Sequence, residues 1–321
     1  MQFIHLTTSL LCVRGAAKLD AEVQTRRAHC TRGPYVWYPI KHRWEGIGST
    51  FQRLKKGMIM ADALAAPWIG TLENHHDPEP RENNAEWFGL GDKDCNETML
   101  KQYEKLSLMH FVNATSLYQH PYFSVEHMCA NKIKSDEYRK KFKLGPNTVI
   151  KVGKRHFSEE WNYCVFNQRF RERFYRDKPR KNPQEFWISV HFRWGDVATH
   201  DVERPNFRAR QGLTTLAKKV AKYTTNRTQA RVFFFSEGKE AEFKKIIDLV
   251  PPVNMRLNGS WKESLYTMAQ SDVLIGGTSS FFVLAAHLCQ RCTVSTFVRD
   301  KKFRQHPDEF SDNHFTLTSK R

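Results

Sequence analysis

Phe186-Trp187-Ile188-Ser189-Val190-His191-Phe192-Arg193-Trp194-Gly195-Asp196 passes from an apolar, strand-like run directly into a polar loop. Strands of that composition belong to parallel sheets covered by helices on both faces. In such sheets ligands gather at the carboxyl ends of the strands, so His191, Arg193 and Asp196 fall where a binding site is expected. An Arg at a strand end can fork two hydrogen bonds to a phosphate. His191 can donate to a phosphate or a base, and Asp196 can orient Arg193 or cap the next element. The competing explanation is an Arg–Asp pair that merely holds a loop.

Downstream the strand–loop–helix rhythm repeats. Leu213 to Tyr223 reads as a helix, Arg231 to Phe235 as a buried strand, and Lys239 to Leu249 and Trp261 to Gln270 as helices. Asp272 to Ile275 reads as a strand, Phe281 to Cys289 as a helix and Cys292 to Val298 as a closing strand. Upstream, Tyr35 to Ile40 reads as a short strand and Trp44 to Thr50 as a Gly-bearing loop. Phe51 to Ala66 follows as a helix near the 3.6 period, stopped by Pro67, and Trp68 to Leu72 as the next strand. Residues 73–98 are polar and turn-rich, a surface excursion, and 99–148 read as helical pieces around loops. Asn162 to Asp177 is a helix candidate whose Phe166, Phe170 and Phe174 stripe predicts core. Lys178-Pro-Arg-Lys-Asn-Pro183 has the composition of a linker. The expectation is an α/β chain of two domains, 1–180 and 184–321.

Three further polar clusters fall at strand ends. Gly276-Gly277-Thr278-Ser279-Ser280 lies between a strand and an apolar helix, where backbone N–H groups and hydroxyls can meet an anion. Without a Lys it is no ATPase P-loop, and an ordinary N-cap explains it equally well. Ser236-Glu237-Gly238 could accept from a base edge or ribose, or cap the next helix. Gly46-Ile47-Gly48-Ser49-Thr50 sits between a strand and a long helix and could close over a diphosphate. His75-His76-Asp77 lacks partner spacing for a metal and reads as surface loop.

Composition narrows the classes. With 40% hydrophobic and 13% aromatic residues the chain is globular. Its 51 Lys and Arg against 34 Asp and Glu, net +17, favour anionic partners. The basic residues are dispersed and carry no nucleic-acid motif, so no nucleic acid is expected. Seven Cys allow at most three disulfides, and Cys289-Gln-Arg-Cys292 lacks the second ligand pair of a zinc site. Sequons at Asn96, Asn113, Asn226 and Asn258 hint at a secretory lumen. The apolar run Leu6 to Val13 is too short to span a bilayer, and no membrane anchor is visible.

At these clusters the chain resembles the fucosyltransferase superfamily with its H-x-R-x-x-D type motif, the α1,6 enzymes most closely across residues 188–290. The family pattern runs from a strand ending H-V-R-R-T-D, through a strand with a T-D-D-type turn, to Q-A-D-F-L-V-x-x-x-S-S and a helix. Here it reads His191-Phe-Arg193-Trp-Gly-Asp196, then Phe235-Ser236-Glu237-Gly238, then Gln270-Ser-Asp-Val-Leu-Ile-Gly-Gly-Thr278-Ser279-Ser280. Gly46-Ile47-Gly48 is similar to the family's N-terminal Gly loop. The resemblance implies two Rossmann-like domains in a GT-B-like fold, and a nucleotide sugar, GDP-fucose, as donor. It further implies inverting transfer to a glycan or glycoprotein acceptor with no metal or other cofactor; with the sequons, the expected location is the Golgi or ER lumen. By the same resemblance Arg193 binds the β-phosphate and His191 the guanine or phosphate side. Ser279 and Ser280 hold the diphosphate, and Ser236 and Glu237 line the nucleoside pocket. Asp201, with His200 and Glu203 beside it, stands where the α1,6 enzymes carry a candidate base. Two departures stand out: Trp194 replaces the second Arg, and Ser49 replaces an Asn found in some Gly loops. Trp194 keeps open a catalytically inactive glycan-binding relative, and the +17 charge a basic nucleic-acid-binding protein.

Overall fold

The computed structural model describes residues 30, 33–39, 46–72, 84–91, 95–114, 117, 135–153, 168–194, 207–225, 229–248, 253–277, 279–289 and 292–296. The chain divides into two compact units, Met1–Arg43 with Arg53–Arg173, and Trp44–Gln52 with Phe174–Arg321. Both are α/β, and each has its own parallel sheet.

The first unit runs β1 (Tyr35–Tyr38), α1 (Ile47–Ala63), β2 (Trp68–Gly70), a turn of 3-10 helix (Glu86–Phe88), α2 (Glu97–Lys105), β3 (His110–Asn113), α3 (Ser135–Lys141), β4 (Thr148–Lys151) and α4 (Gln168–Tyr175). The first turn of α1 and the last residues of α4 belong to the second unit. The sheet order is β2-β1-β4-β3. Strand β3 lies where helical pieces around loops were expected, and β4, beginning at the end of that stretch, was not foreseen. Each has only four residues, too few for a period of two to stand out. Of the expected excursion 73–98, residues 73–83 and 92–94 lie outside the described residues, and the described remainder is not simply polar surface. Ala85, Phe88, Leu90 and Cys95 are buried, and the Asn84 amide donates to the Leu72 carbonyl at 3.2 Å. Helix α1 stops where Ala65 turns left-handed at φ 47°, just before Pro67. Arg139 donates to the carbonyls of Leu64 and Ala65 at 2.9 and 2.8 Å, satisfying acceptors that the helix end leaves open. Tyr35, Trp37, Ile69, Leu100, Tyr103 and Val149 form the core on one face, joined by the Cys30–Cys95 disulfide.

The second unit runs β5 (Phe186–His191), α5 (Phe207–Thr224), β6 (Ala230–Ser236), a 3-10 turn (Glu240–Phe243) leading into α6 (Lys244–Ile247), β7 (Val253–Leu257), α7 (Trp261–Ala269), β8 (Val273–Gly276), α8 (Ser280–Leu288) and β9 (Thr293–Thr296). Its five parallel strands lie in the order β7-β6-β5-β8-β9. From central β5 the chain winds outward one way through β6 and β7, then returns to lay β8 and β9 on the other side. The order therefore reverses between β5 and β8, where a parallel sheet opens a crevice at its carboxyl edge. Asp272 anchors this arrangement: its carboxylate accepts from the Trp187 N–H at 2.8 Å and from Lys181 Nζ at 2.7 Å. Ile188, Val190, Val232, Phe234, Val273 and Ile275 fill one core with Leu213, Leu216 and Val220 of α5. Phe170 and Phe174 are buried, as the stripe predicted, while Phe166 lies outside the described residues.

The disulfide closes a loop of 65 residues, so Cys95→Ser is expected to destabilise the first unit by about 4 kcal/mol through added freedom of the unfolded chain. Urea titration of the oxidised protein and the variant measures it.

Candidate functional site

Chemistry-bearing residues of the second unit collect at the carboxyl edge of its sheet. His191 ends β5 and Ser236 ends β6, while Ser279 and Ser280 open α8 immediately after β8. Backbone bonding ties the first two tips together. Phe192 N–H donates to the Phe235 carbonyl at 3.0 Å, and Ser236 Oγ donates to the Phe192 carbonyl at 2.7 Å. With its proton so committed, the Ser236 hydroxyl offers a ligand only an acceptor. Glu237 is exposed.

His191 is buried against α8, its ring 5.7 Å from that of Phe281 and 6.5 Å from that of Phe282. Burial, helped by the nearby Arg193 charge, pushes its pKa down to about 4, so the imidazole is neutral at physiological pH. Its Nδ1 is buried with no hydrogen-bond partner among the described residues. A buried orphan of this kind is costly unless a ligand or water meets it. Arg193 itself is exposed.

The start of α1, expected from the sequence as a Gly loop over a diphosphate, lies against α8 as a helix start. Gly46 to Thr50 forms no loop: Gly46 is the cap whose carbonyl accepts from Thr50 N–H at 3.1 Å, and the helix begins at Ile47. This first turn abuts the first turn of α8. Ser49 Oγ lies 3.1 Å from Ser280 Oγ. A Cβ on Gly48 would sit 2.5 Å from Phe281 N and 2.6 Å from Ser280 C, so only glycine permits the approach. Two helix starts, each a positive dipole end, thus lie side by side. An anion there relieves both. The hydroxyl of Ser279, the residue preceding α8, makes no capping bond, so the ordinary N-cap explanation fails for it.

Trp194 has a structural task. Its indole stacks 6.0 Å from Phe192, meets Phe243 edge-on at 6.1 Å and donates to Glu242 at 3.0 Å. Glu242 also accepts from Lys239 N–H at 2.6 Å. That backbone bond, then the indole, holds its carboxyl below the usual range. The ring covers Gly238, whose φ of 116° suits glycine. Across the turn Asn258 grips the same Gly238, Oδ1 accepting from its N–H and Nδ2 donating to its carbonyl, both at 3.0 Å. Glu242 and Asn258 were not singled out for this edge. The Asn258-Gly259 turn dipeptide was the available signal.

Asp196, Asp201 and Thr278 lie outside the described residues, as do His75, His76 and Asp77. Among the described residues no three His, Cys, Asp or Glu side chains group to hold a metal. No protein-family profile matches the chain, and no curated protein does. Among solved structures, POFUT1 in complex with GDP-fucose is 10% identical over 81% of this chain and 93% of that one, with TM-score 0.38. POFUT1 in complex with GDP is 12% identical over 83% and 98%, with TM-score 0.44. A family 9 glycosyl transferase from Veillonella parvula is 11% identical over 82% and 79%, with TM-score 0.35. Likeness of that degree carries no weight for function, which rests on the chain's own residues.

Two outcomes follow from this geometry. Gly48→Ala is expected to destabilise the second unit by about 1–3 kcal/mol, because backbone must move to admit the methyl; thermal unfolding checks it. Because the folded-state pKa of His191 lies below 6.5, its contribution is fully present above pH 6.5 and lost as pH falls toward 4. Between pH 7 and 5 the wild type should lose roughly 2 kcal/mol more than His191→Gln in urea titrations.

Proposed function

We propose that this chain is a nucleotide-sugar-dependent glycosyltransferase of the fucosyltransferase type, built on two Rossmann-like domains in the GT-B manner. It transfers fucose from GDP-fucose to a hydroxyl of a glycan or glycoprotein, with inversion and without a metal. The observation that carries the proposal is the pair of abutting helix starts at Gly48 and Ser280, set beside the His191 strand tip at the reversal of strand order. Such a pairing favours an anion, and it lies where parallel sheets bind nucleotides. The motif order from His191 to Ser280 supports the fucosyltransferase reading.

In this mechanism the glycosyl bond breaks with its electron pair passing to the departing diphosphate. Arg193, the amides at the two helix starts and the hydroxyls of Ser279 and Ser280 take up that charge. His191, neutral, offers a hydrogen bond without adding charge. The exposed Glu237 and the acceptor oxygen of Ser236 face the nucleoside. Asp201 receives the acceptor's proton as its oxygen attacks the opposite face of the sugar. Trp194 favours a non-transferring relative less once its ring is seen engaged with Phe192, Phe243 and Glu242. The Cys30–Cys95 disulfide supports a lumenal location.

Arg193→Ala is expected to keep the fold and lower transfer or hydrolysis of GDP-fucose by at least about a hundredfold, the effect of removing a preorganised partner of developing charge. Product release from labelled GDP-fucose measures it, and full activity in the variant refutes the assignment.

A further inference from the structure

We propose that Asn96 carries an N-linked oligosaccharide and that Asn258, which heads the same kind of sequon, does not. The inference is independent of sugar transfer by the chain.

Asn96-Glu97-Thr98 opens helix α2 on an exposed edge, and both Asn96 and Thr98 face solvent. The Asn96 side chain uses only its oxygen: Oδ1 accepts from Met99 N–H at 3.0 Å and caps the helix. Its Nδ2 makes no hydrogen bond among the described residues. A sugar on that nitrogen leaves the capping oxygen in place. The residue before it, Cys95, is bonded to Cys30, and such a pair persists in the oxidising compartments where N-glycosylation takes place.

Asn258-Gly259-Ser260 is exposed as well, so accessibility does not separate the two. Bonding does. Asn258 presents the amide edge made of Oδ1 and the N–H on the same side to the backbone of Gly238, with both bonds at 3.0 Å. A substituted amide takes the trans arrangement, which sets the new carbon on the same side as the oxygen. The sugar would therefore occupy the position from which Nδ2 now donates. A chain glycosylated at Asn258 would lose this clamp on Gly238, while one glycosylated at Asn96 would lose nothing.

The full chain, expressed behind a cleavable leader in mammalian cells and recovered from medium or lysate, would be treated with PNGase F in heavy-oxygen water. Peptide mass spectrometry is expected to find Asn96 converted to labelled Asp and Asn258 unlabelled. A bare Asn96, or a labelled Asn258, overturns the proposal. Asn96→Asp keeps an oxygen for the cap and removes the acceptor nitrogen. It should migrate faster by one glycan with its unfolding midpoint little changed, and unaltered migration would equally overturn the proposal.

Discussion

Position 48 has no room for a side chain, and the second unit is organised around that fact. The backbone of α1 comes to rest on the backbone of α8 at Phe281 and Ser280. Any other residue would push the helix starts apart. Once they touch, two positive dipole ends share a small volume. Beside the contact the hydroxyls of Ser49 and Ser280 share one hydrogen bond, and that of Ser279 makes no capping bond.

Strand β5 sets the other wall. Because it is central, flanked by β6 and β8, its tip cannot shift without disturbing both neighbours. Asp272 holds the start of the strand, and Ser236 and Phe235 hold its end. His191 is thereby kept buried and neutral, while Arg193, two residues on, reaches solvent. The turn after β6 is secured twice, by Trp194 with Glu242 on one side and by Asn258 on the other. Where the resembled family carries a second Arg, this chain packs an indole against Phe192 and Phe243. The position has gained apolar contact and lost a charge.

Much of the second unit was legible. Phe186 to His191 emerged as a strand because an apolar run is bounded by a proline-rich linker before it and polar residues after it. The Phe-rich β6 and the strand–turn–helix from Val273 to Leu288 were legible for similar reasons. Strand β7 escaped notice, although Val253, Met255 and Leu257 alternate with Asn254 and Arg256 after two prolines. In the first unit β3 fell within a stretch read as helical pieces around loops, and β4 was missed. Four residues carry too little periodicity to separate helix from strand, and it is pairing with neighbours that makes them strands.

What local sequence determined by itself was the type of the longer elements and which residues stand at their ends, since both follow from apolar spacing and from Gly and Pro punctuation. It placed His191, Ser236 and Ser279 at strand and helix boundaries. Tertiary structure alone decided that Gly46 to Thr50 is a helix start and not a loop, and that this start rests against Ser280. The two segments are more than two hundred residues apart in the chain, and no local propensity records a backbone contact at that distance.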